Sequence, residues 1–381
     1  MNPRPAVLWA GVQAGLFALL AGGLVYFSYL VLRIHHDFLP DAAARADFGN
    51  LWRAGLLARH GRLGQLYAPP LFEPWDQAAP GAPPGDWIYP PEILPLGVLL
   101  SLLAVPAAFI GWSLCSLAAM GLLLRGAGLP WAVIALTLAS PAEYRCLSYG
   151  QLGGLLGCLA FRGLLAAAGR PALAGVMIGL LSLKPPAGGL VLAAWLAGRN
   201  GRAIVWAAFT ALLLGLVPLA WFGPDCWGWF VARSLPMARQ YVQGPFPQSF
   251  QLGGVSVFWM FRGFGCGIAA AYAGQAAAAL GAFAAVFGAW RRPGADRLAC
   301  AALTVVLMLF VTPYAFTADM VGFELALAVL AWRRGWKLTL LDGVLWLWPG
   351  YSPLVTAVTG LALTPLLVAL AAVMAWRQAR A

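Results

Sequence analysis

An aspartate and a lysine stand out as the side chains best placed for chemistry. Asp47 follows a long apolar segment and sits beside Phe48 and Trp52. Partial burial against those rings would raise its pKa toward that of a useful general base. Its alternative role is to cap the helix that follows. Lys184 is one of only two lysines in 381 residues and lies in Gly179-Leu180-Leu181-Ser182-Leu183-Lys184-Pro185-Pro186. A charge just before two helix-breaking prolines, inside apolar sequence, is tolerated in a bilayer only where it faces protein or a wet cavity. A cation at such a break suits a phosphate; the alternative is a lysine that merely snorkels from a short hairpin.

Further polar side chains gather near these two. Glu143, Tyr144 and Arg145 precede Gln151 and would bind a polar ligand or form an internal ion pair. Arg239, Gln248 and Gln251 belong to a long segment, 223–256, with Trp227, Trp229, Tyr241 and Phe246. Those rings would stack on a ligand or act as interfacial anchors. Asp319 opens an apolar segment after Pro313 and would orient Lys184, bind an acceptor hydroxyl or cap a helix.

The elements that must position these groups follow from composition. With 62% hydrophobic residues, 10% charged residues and a mean hydropathy of +0.80, the chain has too little polar surface for a soluble globule. It reads as a single polytopic, all-α membrane domain over 1–381. Ala6 to Leu32 is uncharged and longer than the about 20 residues that cross a bilayer, so it is expected to be a retained first span rather than a cleaved signal. The net charge of +11 comes from scattered clusters rather than a basic domain, which argues against nucleic acid. Arg170, Arg199 with Arg202, Arg291 with Arg292 and Arg297, Arg333 with Arg334 and Lys337, and Arg377 with Arg380 recur at every second break, as positive-inside loops do. The intervening breaks, near 143–151, 184–186, 223–256, 313–319 and 350–353, are then outside, with the first loop, 33–91.

Spans are expected near 6–32, 92–105, 107–124, 151–169, 172–183, 187–198, 203–222, 266–289, 298–312, 319–332, 338–349 and 354–375, with a further half-helix at 129–140. That makes about 10 to 13 membrane helices, several short or re-entrant. In the first loop, Asn50 to His60 places Leu and Trp on one stripe and Arg53, Arg59 and His60 largely elsewhere, which predicts an interfacial helix with its apolar side in lipid. Pro69 to Gly85 reads as a stiff connector, and 61–91 as a lid over the outer surface. His35, His36 and His60 lack the spacing of a metal pair, and the six cysteines form no C-x-x-C, so neither a metal site nor a structural disulfide is expected.

A set of short motifs runs in order along nearly the whole chain: Asp47-Phe48 with Trp52-Arg53-Ala54-Gly55, Leu66-Tyr67, Trp87-Ile88-Tyr89-Pro90-Pro91, Gly150-Gln151, Arg170-Pro171-Ala172-Leu173-Ala174-Gly175, Gly179-Leu180-Leu181 with Lys184-Pro185, Phe222-Gly223 with Trp227, and Thr312-Pro313-Tyr314 with Asp319. As a set these resemble family-87 glycosyltransferases of the GT-C superfamily. The chain departs from the usual pattern at Leu152, Pro186 and Ala318. The resemblance implies a GT-C helical bundle in the bacterial cytoplasmic membrane, active on its outer, periplasmic face. The implied reaction is metal-independent, inverting transfer of a hexose, often mannose, from a polyprenyl-phosphate sugar to a lipid or glycan acceptor, with no cofactor. It places the acceptor-activating carboxylate at Asp47 and makes Lys184 and Arg239 candidates for the donor phosphate. Trp52, Tyr89, Glu143, Arg145, Gln151, Gln248 and Asp319 are then candidates for substrate binding. Two other functions fit the composition: a transporter or flippase of lipid-linked sugars, which should show two similar halves that are not seen here, and a surface-glycan polymerase or ligase.

Overall fold

A computed structural model of the chain describes residues 47–67, 87–184 and 188–380. The expected first span, His35, His36 and the connector 69–85 lie outside these residues. Helix follows helix, and the only extended pairing among the described residues is an isolated bridge between Gly254 and Phe316.

The helix expected in the first loop is present as α1 (Asp47–Arg59), but its apolar face meets protein and not lipid. Phe48, Leu51, Ala54 and Leu57 are buried, and so is Arg53, contrary to its expected place off the apolar stripe. The partner is α2 (Leu94–Leu100). A Cβ on Gly55 would fall 1.9 Å from the backbone of Gly97, so the two glycines let these backbones touch. Trp52 Nε1 donates to Leu103 O at 3.0 Å, and an Arg59 guanidinium N–H donates to Ser101 O at 3.0 Å, which ties α1 to the chain just beyond α2. Seven residues rise only about 10 Å, so the span expected at 92–105 is a half-helix that turns back.

The next elements are α3 (Val105–Gly126), α4 (Trp131–Leu138), α5 (Pro141–Tyr149), α6 (Gly153–Ala166), α7 (Pro171–Gly179), α8 (Gly189–Ala197) and α9 (Gly201–Phe222). The half-helix expected at 129–140 is α4. Prolines at 106, 141 and 171 fall in the first turns of their helices, where the missing N–H costs nothing. The long segment 223–256 is mostly helical rather than irregular. It holds short turns and α10 (Leu235–Gln243), before α11 (Val257–Gly263) and α12 (Ile268–Arg291). Then come α13 (Arg297–Leu307), α14 (Val321–Arg333), α15 (Leu340–Thr359) and α16 (Thr364–Arg380). The break expected at 350–353 is absent. Pro349 and Pro353 lie within α15, and the chain reverses at Gly360, whose φ of 70° is a left-handed conformation that glycine adopts without strain. Each proline costs the helix one backbone hydrogen bond, a loss that packed neighbours can absorb.

Among the described residues three helices, α3, α9 and α12, are long and apolar enough to cross a membrane, and only 22%, 17% and 22% of their most apolar stretches are buried. They form the perimeter and present Leu122, Val205 and Leu280 outward. So large an exposed apolar surface suits lipid. α14 is the centre, buried from Val321 to Ala331. At one end of the bundle, ion pairs join Arg333 to Asp296 and Arg334 to Asp342, and Gln378 Nε2 donates to Leu330 O at 3.4 Å. The basic breaks of α12 to α16 therefore share that end, and the groups singled out in the sequence gather at the other.

Glycines allow the close approach there. A Cβ on Gly153 of α6 would lie 2.1 Å from Ala318 O, just before α14. Gly153→Ala should therefore destabilise the protein by about 1–3 kcal/mol through overpacking. Gly121→Ala, where a Cβ would meet nothing within 4 Å, should leave the melting temperature in detergent unchanged or slightly raised. Equal melting of the two variants would contradict the close packing of α6 on residues 318–322.

Candidate active site

Asp47 heads α1 and turns toward the junction of α5 and α6. Ser140 caps α5, its Oγ accepting from Glu143 N at 3.3 Å, and the helix ends at Gly150 with φ 65°. No side chain fits at Gly150, because a Cβ would fall 2.5 Å from the Cβ of Phe48. Trp112 Nε1 donates to Gly150 O at 3.1 Å and holds the turn. The next residue, Gln151, donates from Nε2 to Asp47 Oδ2. Burial raises the Asp47 pKa, while the Gln151 hydrogen bond and the Lys184 charge lower it in part. The result is a carboxyl of raised basicity, held in place by an amide that prefers its charged form.

Lys184 reaches the same place from α7, which tightens into a 3-10 turn over Leu180–Leu183. Its Nζ forms an ion pair with Asp319 Oδ1, so it does not snorkel away from the protein. The other Asp319 oxygen accepts from Phe316 N at 2.9 Å. Asp319 thus both caps the turn that leads into α14 and partners the lysine.

Two cavities meet at Lys184. The smaller is lined by Asp47, Tyr89, Gln151 and Lys184 with Leu51 and Ile93. The larger carries Lys184, Asp319, Thr312 and Tyr314 at one side and Leu156, Val305, Met308 and Leu309 elsewhere. Tyr89 is brought in by the buried Trp87, whose ring lies 5.4 Å from its own and whose carbonyl accepts from Ser234 Oγ at 2.6 Å. Burial, then the charges of Asp47 and Asp319, push the pKa of both Tyr89 and Tyr314 up. Both phenols therefore stay protonated and can donate hydrogen bonds.

The other candidates from the sequence lie elsewhere. Trp52 does not line either cavity and is bonded to Leu103 O. Glu143 is 1% exposed, lies against Gly154, and is pushed up to about 8 by burial. Among the described residues it makes no ion pair with Arg145. Arg239 is exposed on α10. Gln248 is bonded within its own turn, where its N–H donates to Gln251 Oε1 at 2.9 Å, and Gln251 Nε2 donates to Tyr241 O at 3.1 Å. Two groups had not been singled out. Tyr314 lay inside the Thr-Pro-Tyr motif just before Asp319, and Glu324 was signalled only as a charge within an apolar run. Among the described residues, no cluster of three or more His, Cys, Asp or Glu side chains could hold a metal ion.

A lipid-facing helical bundle with a buried carboxyl and an ion-paired lysine converging at one end has the makings of a membrane enzyme. Residues 87–313 match the family model of glycosyltransferase family 87, and the chain belongs to that family. It is accordingly a membrane glycosyltransferase. The match includes Tyr89, Gln151 and Lys184, while Asp47, Tyr314 and Asp319 lie beyond its ends. Neither the curated proteins nor the solved structures include a match to the chain.

Proposed function

We propose that the protein transfers a hexose, of the mannose type, from a polyprenyl-phosphate sugar to a lipid or glycan acceptor on the outer face of the cytoplasmic membrane. The observation that carries this reading is the position of Lys184, at the meeting point of a smaller cavity that holds Asp47, Tyr89 and Gln151 and a larger, mostly apolar one. A polyprenyl-phosphate sugar is a phosphodiester with one negative charge, an apolar chain on one side and a sugar on the other. Lys184 supplies one matching positive charge. The apolar cavity takes the first part of the chain, and the smaller cavity takes the sugar and the acceptor hydroxyl, with Tyr89 there and Tyr314 on the Lys184 side of the larger cavity as hydroxyl donors.

The chemistry then needs few groups. Asp47 accepts the proton of the acceptor hydroxyl as its oxygen bonds to the anomeric carbon, and the bond from that carbon to the phosphate oxygen breaks. The electron pair leaves with polyprenyl phosphate, whose growing charge Lys184 stabilises. A single displacement from the face opposite the leaving group inverts the anomeric centre. The test is incubation of purified protein with polyprenyl-phosphate mannose or glucose and membrane lipid acceptors, with transfer read as the mass of one added hexose. Transfer from a nucleotide sugar and not from any polyprenyl-phosphate hexose would overturn the donor assignment.

Two further outcomes follow from this reading. A cysteine introduced near Gly244 should react with an impermeant maleimide on intact cells, above the wild-type background, and one near Asn200 should not; the reverse pattern would place the site on the cytoplasmic face. The second concerns pH. Asp47 works as the charged carboxylate, so activity should fall as pH drops through its raised pKa. Gln151 holds that pKa down. Gln151→Leu should therefore move the acid limb of kcat/KM to higher pH, and an unmoved or lowered limb would separate Asp47 from the titration.

A further inference from the structure

We infer that Glu324 is a positioning residue for this transfer reaction: from the core of α14 it pins the start of α5, so that the far end of α5 presents Gln151 to Asp47. The inference rests on the reading of Asp47 as the base. Glu324 is 0% exposed in a helix whose neighbouring side chains are apolar. A buried carboxyl is costly unless it is bonded, so its contacts identify its role. Both of its oxygens accept from Ala142 N, at 3.0 and 3.3 Å, from a residue 182 positions earlier in the chain.

Ala142 N belongs to the first turn of α5, where backbone N–H groups have no partner within the helix. Pro141 offers no N–H, and the next, Glu143 N, goes to Ser140 Oγ at 3.3 Å. Glu324 therefore anchors the N–H that the local cap does not reach, and it is also hydrogen-bonded to the cap residue itself, Ser140. α5 has nine residues and a length of about 13 Å. Gly150 and Gln151 follow immediately, fixed by Trp112 and Phe48 on one side and bonded to Asp47 on the other. The other anchored end starts from α14, which begins just after Asp319, the partner of Lys184. Glu324 thus sets how the half of the site with Asp47 and Gln151 stands relative to the half with Lys184 and Asp319. A displacement of about 1 Å at a reacting group can cost on the order of a hundredfold in rate.

The test compares Glu324→Gln, Glu324→Leu and Glu324→Asp, in otherwise wild-type protein and with Gln151→Leu, above the pH of every acid limb. The Gln variant keeps an oxygen to accept from Ala142 N and should hold kcat within about threefold, whereas Leu, which offers no acceptor, should lower kcat about ten- to a hundredfold with donor KM nearly unchanged. With Gln151→Leu present, Glu324→Leu should cause no further loss, because the residue through which it acts is gone. Full kcat with a lowered melting temperature, or equal losses in both backgrounds, would make Glu324 a core stabiliser and overturn the inference. If the Leu variant does not fold, the shorter Asp side chain, which cannot reach Ala142, carries the same comparison. A readout without turnover separates this inference from the proposed reaction: a protein with Asp47→Cys and Gln151→Cys, and with Cys146→Ser to remove the free thiol beside residue 151, should be cross-linked between 47 and 151 by a short bifunctional thiol reagent, more slowly once Glu324→Leu is added. An equal rate would refute the positioning even if transfer occurs, and a slower one would support it even if the wild type transfers from no polyprenyl-phosphate hexose.

Discussion

Asp47→Asn should remove about 10²- to 10⁴-fold of hexose transfer, the range that a positioned general base contributes, while leaving fold and donor binding in place. The expectation is sharp because the substitution spares the geometry. Gln151 Nε2 donates to Asp47 Oδ2, and the amide oxygen of an asparagine can accept the same bond. What is lost is the capacity to take a proton from the acceptor hydroxyl. Burial has already raised the basicity of this carboxyl, and the substitution also removes a desolvated charge, so the melting temperature should hold or rise. Turnover measured as hexose added to the acceptor, beside melting temperature and polyprenyl-phosphate binding, decides the matter. Wild-type turnover by the Asn variant would exclude Asp47 as base and move the search to Asp319 or to the acceptor itself.

Lys184→Met should weaken polyprenyl-phosphate binding about ten- to a hundredfold, since a charge-assisted hydrogen bond to phosphate is worth about 1.5–3 kcal/mol at about 1.4 kcal/mol per decade. Lys184→Arg should retain part of the affinity. The ion pair adds a complication that serves as a control. Lys184 and Asp319 keep 22% and 15% of their side-chain surface exposed, so removing the lysine leaves a partly buried aspartate charge whose remaining partner among the described residues is Phe316 N. Lys184→Met should therefore also lower the melting temperature, by less than the about 3–5 kcal/mol of a fully buried broken pair. Adding Asp319→Asn should restore stability without restoring donor affinity, and Asp319→Asn alone should leave affinity intact or raise it. Unchanged donor affinity in Lys184→Met would end the phosphate assignment, whatever happens to stability.

Much of this protein was legible along the chain. Apolar runs separated by basic clusters at every second break describe a helical membrane bundle, because lipid demands apolar side chains over a fixed length and charge stays at its margins. The spans expected from 107 and 172 begin close to α3 and α7, whereas α5, which opens at Pro141, covers what read as a break. Asp47 and Lys184 drew attention as charges where apolar surroundings make charge expensive. The errors have the same origin. The stripe of Leu and Trp in α1 reads alike whether it meets lipid or protein, for both are apolar, and only the fit of Gly55 on Gly97 placed it against α2. Pro349 and Pro353 looked like a break, yet packing around α15 absorbed the lost hydrogen bonds and left the turn to Gly360. The site itself was decided by tertiary structure. Asp47 meets Gln151 across 104 residues, Lys184 meets Asp319 across 135, and Glu324 meets Ala142 across 182. Periodicity tells which face of a helix is apolar, but not which helix will lie against it. That choice is made where glycines such as Gly153 allow two backbones to close and a buried polar group finds the one partner that satisfies it.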